Sequence, residues 1–132
     1  MDTDVQQASF ALPAHPASAA EARCRTRAWL HRYPVGQDAA EAAVLIISEL
    51  VANAVTHGGG DHVSCDLHLA DGLLRIEVTD HGTGHPQPAI RRPAPDDPSG
   101  RGLLLVSTLS RAWGITPAEP SGWTVWAAVR AT

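Results

Sequence analysis

Two stretches of this chain alternate apolar and polar residues with a period of two. Val63, Cys65, Leu67 and Leu69 alternate with Ser64, Asp66 and His68, and Leu74, Ile76 and Val78 with Arg75, Glu77 and Thr79. Between them stands Asp71-Gly72, a pair that suits a two-residue hairpin turn because both positions tolerate positive φ. A period of two puts one side of a strand in the core and the other in water. The chain is thereby committed to an antiparallel hairpin with one apolar face, and a lone hairpin is not stable until that face is covered.

The cover is expected from helices upstream. A helix is predicted over residues 38–56, with Asp38 as N-cap, Glu41 completing a capping-box pattern and Gly58-Gly59-Gly60 ending it. Val44, Ile47, Val51, Ala54 and Val55 share one side of it, the side expected to pack on the sheet. Glu49 and Asn53 fall opposite, four residues apart and so one above the other. A first helix is predicted over 19–31 with Ser18 as N-cap, ending before Pro34. Residues 9–12, before Pro13, suggest a short edge strand, and residues 1–8 a frayed start. Residues 82–100, rich in Gly and Pro, read as one long loop of the kind that serves as a lid. A short helix over 102–110 follows, then two closing strands, 112–116 and 123–130, around a turn at 117–122. This order predicts an α+β fold: a two-layer sandwich with a mostly antiparallel mixed sheet and helices on one face. A chain of 132 residues makes one domain, with its core over about 10–130.

Composition removes several function classes. All ten basic residues are arginine and the net charge is -4, which argues against a basic nucleic-acid surface. With no lysine, a Walker-A phosphate loop is excluded. Cys24 and Cys65 form no Cys-x-x-Cys pair; both are expected to be buried, reduced thiols rather than zinc or redox ligands. No run of about 18 apolar residues and no signal-peptide pattern is present, so the expected place is the cytoplasm, with no membrane.

Three motifs carry chemistry. The first is the Glu49/Asn53 stripe, which taken alone is more often a solvated surface. The second is Asp80-His81-Gly82-Thr83-Gly84, where a strand delivers a carboxylate into two closely spaced glycines that let a ligand approach the backbone. Gln87 and Pro86 break the Rossmann fingerprint, and a plain Asp-Gly turn stays open as a reading. The third is Gly100-Arg101-Gly102-Leu103, glycines opening a helix whose free N–H groups suit phosphate oxygens. His57, at the end of the helical stripe, suits either a contact to phosphate or a helix C-terminal cap. His81 and His85 straddle a Gly-x-Gly turn and share no helix face, which speaks against a zinc pair. The four tryptophans, Trp29, Trp113, Trp123 and Trp126, are expected in the core or an interface.

In this order the motifs resemble those of the GHKL ATPases, the superfamily of gyrase, histidine kinases and the heat-shock chaperone ATPases. Glu49-Leu50-Val51-x-Asn53, running on to His57-Gly58, looks like the N box. Asp80-x-Gly82-x-Gly84 looks like the first glycine box and Gly100-x-Gly102-Leu103 the second. Gly-Arg-Gly-Leu-Leu-Leu-Val, Trp113-Gly114 and Thr124-Val125-Trp126 look most like the short anti-sigma-factor serine kinases. The resemblance implies ATP and Mg²⁺ as cofactors, with Asn53 on the metal, Asp80 on the adenine amino group and Glu49 as general base. Gly100, Arg101 and Gly102 would cradle phosphate, Gly82, Gly84, Leu103, His57 and Thr124 would complete the nucleotide site, and residues 85–99 would form the lid. It departs from the family at Trp123, where many members carry lysine. The implied partners are a sigma factor and a small anti-anti-sigma protein of the STAS type, phosphorylated on serine; a homodimer is suggested too. A nucleotide-gated binding protein without phosphotransfer is the alternative, and a histidine-kinase fragment is disfavoured because no phosphoacceptor helix precedes residue 10.

Overall fold

The protein was analysed as a computed structural model that describes residues 5–84, 86–89 and 101–132. The elements run β1 (Gln6–Pro13), α1 (Ser18–Leu30), α2 (Gln37–His57), β2 (His62–Ala70), β3 (Leu73–Asp80), α3 (Arg101–Leu109), β4 (Ala112–Pro117) and β5 (Trp123–Arg130). The strands form one five-stranded sheet in the order β1-β2-β3-β5-β4. Among the described residues every pairing is antiparallel, where the sequence suggested a mostly antiparallel mixed sheet.

The hairpin forms as its alternation dictates. Cys65 pairs with Val78, Leu67 with Ile76 and Leu69 with Leu74, all on the inner face. Asp71 and Gly72 turn the chain with φ of 54° and 75°. Leu12 on β1 and Val125, Ala127 and Val129 on β5 extend the same apolar surface, and all are buried. Gln7, Ser9, Asp66, Arg75, Glu77, Thr79 and Thr124 alternate onto the outer face.

Helix α2 covers the inner face. Ile46, Ile47, Leu50 and Val51 are at most 1% exposed, and each side chain so buried contributes roughly 1.5–3 kcal/mol. The buried stripe is wider than the expected one, adding Ala43, Ile46 and Leu50 and leaving Val55 half-buried. The reason is that α2 also packs against α1 and α3. Buried Ser48, for example, accepts a hydrogen bond from Nη1 of Arg23 on α1 at 2.7 Å. By length and mean hydropathy (1.6) α2 could cross a membrane, yet here its apolar side is the core's largest helical surface.

Both predicted caps differ. Gly36, not Asp38, is the N-cap of α2, and no side chain caps it; Asp38 lies inside the first turn, where its charge still faces the positive helix end. Ser18 is helical rather than a cap, its hydroxyl donating to the carbonyl of Pro13 at 2.6 Å. Cys24 is exposed, against expectation, because it falls on the solvent side of α1; Cys65 is buried, and both thiols are free. Most of the supposed lid lies outside the described residues.

Candidate functional site

Asp80 ends β3 on the inner face and is 4% exposed. Its Oδ1 accepts the backbone N–H of Gly82 at 3.2 Å, which turns the chain back beneath the carboxylate. Glycines from separate segments make the space. A Cβ on Gly58, the C-cap of α2, would stand 2.7 Å from Cβ of Asp80 and 3.0 Å from its Cγ. A Cβ on Gly122, at the β4–β5 turn, would meet the Asp80 carbonyl oxygen and would come within 2.8 Å of Oδ1. A Cβ on Gly82 would strike the carbonyl of Gly58. Gly84 is different: nothing crowds it, and its φ of 75° is what favours glycine there.

Sequence reasoning missed Gly58 and Gly122 as parts of this cage. The sequence suggests Gly58 as a helix stop and as the end of the N box, not as a neighbour of Asp80, although one glycine is enough to end a helix and the chain has a run of three. Gly122 was read only as a turn.

Along α2, Glu49 and Asn53 are both half-buried rather than solvated. The element beside Glu49 is α3, which packs on α2 through Gly102. A Cβ on Gly102 would sit 2.9 Å from Oε2 of Glu49. Leu103, 1% exposed, anchors that helix in the core. A carboxylate therefore stands beside the first described turn of α3. Arg101 begins α3, and Gly100 lies outside the described residues. His57 is the last residue of α2 and is exposed.

Thr124 is not brought to this cluster. It pairs with Thr79 on the outer face, where the two hydroxyls hydrogen-bond at 2.7 Å. Strand alternation puts Trp123 on the inner face instead. His81 likewise turns outward, its Nε2 2.8 Å from Oγ of Ser64 and its ring stacked on His62 at 4.4 Å. His85 is outside the described residues. Trp29 is buried and packs edge-on to Tyr33, Trp113 packs against the core, and Trp126 lies on the outer face beneath Arg75.

Among the described residues no group of three His, Cys, Asp or Glu side chains could hold a metal ion. A divalent cation would depend on the Asn53 amide oxygen together with oxygens from a ligand and water. A separate groove of about 570 Å³ between α1 and α2 is lined by Arg23, Arg27, Leu30, Tyr33 and Leu45 among others, and shares no residue with the cluster.

A buried acid in a glycine cage and a Glu/Asn stripe on the central helix thus lie on one α+β sandwich. The chain belongs to the histidine kinase-like ATPase domain family, whose profile matches residues 12–129. Its fold is similar to that in the crystal structure of the RsbU and RsbW domains of Rv1364c from Mycobacterium tuberculosis, with a TM-score of 0.70 at 24% identity. The match covers 95% of this chain and 32% of that one, so this chain spans about a third of the length of the chain it matches. No match was found among curated proteins.

Proposed function

We propose that the chain binds Mg²⁺-ATP and acts as a protein serine kinase on a small anti-anti-sigma partner of the STAS type, thereby controlling its own hold on a sigma factor. The observation that carries this reading is Glu49, a half-buried carboxylate beside the first turn of α3 and one helical turn from Asn53. Binding alone requires no carboxylate at a phosphate-binding helix start, since like charge there costs affinity; a base for phosphoryl transfer does.

The residues suit the ligand. Asp80, able only to accept when ionised, takes a hydrogen bond from an exocyclic amino group, and the glycine cage holds it in place. The α3 N-terminus, with Gly102 letting the backbone come close, offers N–H donors to phosphate oxygens. Asn53 supplies a neutral oxygen to the cation. ATP brings the γ-phosphoryl group, and Mg²⁺ offsets its charge. Glu49 then draws the proton from the partner's serine hydroxyl as that oxygen forms its bond to phosphorus, and ADP departs with the bridging oxygen.

The test is Glu49→Ala. ATP affinity should stay within a factor of about three while transfer to the partner serine is lost. An equal fall in both would remove Glu49 from the role of base. Transfer that persists undiminished would do the same, and would leave a nucleotide-gated binding protein as the better reading.

A further inference from the structure

The β3–β5 register runs through Thr79 opposite Thr124. Carried one step further, that register sets Asp80 opposite Trp123, and a Cβ on Gly122 would come within 2.8 Å of Oδ1 of Asp80, so the β4–β5 turn closes on that carboxylate. On its other side Trp123 pairs with Pro117 of β4. Its side chain is therefore on the inner face, at the end of the sheet where Asp80 lies, and it is half-buried. Directly opposed side chains on neighbouring strands have Cβ atoms about 4.5–5.5 Å apart. The core's share of β5 begins two residues later with Val125, so Trp123 stands between the packed interior and the mouth of the site.

We infer that Trp123 forms an aromatic wall of the base pocket, stacking on the ring whose amino group Asp80 holds, and so makes the site prefer purine over pyrimidine nucleotides. This deepens the nucleotide-binding reading and rests on it. A carboxylate alone recognises an amino group, which adenine, guanine and cytosine all carry. The size of the ring is read by what lies flat against it, and an indole rewards the larger π surface.

The experiment is competitive titration of Mg²⁺-ATP, Mg²⁺-GTP and Mg²⁺-CTP against the wild type, Trp123→Ala and Trp123→Phe. Trp123→Ala should weaken ATP roughly tenfold and GTP comparably while changing CTP less than threefold, and Trp123→Phe should restore most of the loss; stacking of one base on one aromatic ring is of this size. Equal ATP affinity, or an equal loss for all three nucleotides, in a folded Trp123→Ala protein would overturn the inference. If that variant does not fold, the wild type decides: nuclear Overhauser transfer between the bound base and the Trp123 indole supports the stack, and its absence overturns it. No nucleotide binding by the wild type is a different failure, that of the reading beneath.

Discussion

Gly102 and Glu49 meet where α3 packs on α2, and the glycine leaves open the place, 2.9 Å from Oε2, that a methyl group would fill. The atom in the way is the free end of a flexible side chain. Gly102→Ala should therefore fold normally, and alanine's better helix propensity, worth up to about 1 kcal/mol, acts in its favour. The displaced carboxylate should lower phosphotransfer at least tenfold, since misplacing a reacting group by about 1 Å can cost on the order of 100-fold. Denaturant melts and a transfer assay on the same preparation check this; stability and activity falling together would contradict it.

Gly58→Ala should behave in the opposite way. Its new methyl would meet the Asp80 Cβ at 2.7 Å and also the carbonyl of Ala54, neither of which can swing aside. Overpacking of this kind costs about 1–3 kcal/mol. Chemical denaturation should show that loss, and ATP affinity should drop because Asp80 is what moves. A variant with wild-type stability and affinity would mean the cage is looser than described.

The contacts of these two glycines with Glu49 and Asp80 are what the sequence could not disclose. The hairpin, central helix and closing strands were legible because period-two and helical patterns report which face each element buries. So was the placing of Asp80 at the end of β3, although its motif alone fits a plain Asp-Gly turn as well. The half-burial of Glu49 was not legible, because the helix beside it, α3, reaches α2 from far along the chain. Thr124 was assigned to the site from its motif, but strand alternation, countable in the sequence only once the β3–β5 register is known, turns it to the outer face and puts Trp123 inward. The caps of α1 and α2 failed for a local reason: Pro13 and Gly36 set the entry of each helix, and the polar residue expected to cap it fell inside the first turn.

The two thiols should differ sharply. Burial pushes the Cys65 thiol up to about 12, so almost none is thiolate at pH 8, whereas Cys24 is exposed. One thiol per native chain should react with a disulfide reagent within minutes, and the second only on unfolding. Cys24→Ser should abolish the fast phase; a fast phase that survives it would contradict the burial of Cys65.

Thr26 is fully buried on α1, and its Oγ1 has no hydrogen-bond partner among the described residues. An unsatisfied buried hydroxyl costs about 1–3 kcal/mol. Thr26→Val, of nearly the same shape, should raise stability by about 1 kcal/mol in urea denaturation. A loss of that size would show that the hydroxyl has a partner.

The proposed function requires α2 and the Asp80 cage together to hold a nucleotide and its cation. Calorimetric titration of ATP, with and without Mg²⁺, into the wild type and Asn53→Ala tests this most directly. The wild type should bind Mg²⁺-ATP with micromolar affinity, about 8 kcal/mol, and markedly more weakly without the metal, while Asn53→Ala should lose at least tenfold and most of the metal dependence. Absence of binding by the wild type, or binding by Asn53→Ala that keeps full affinity and full metal dependence, would contradict it.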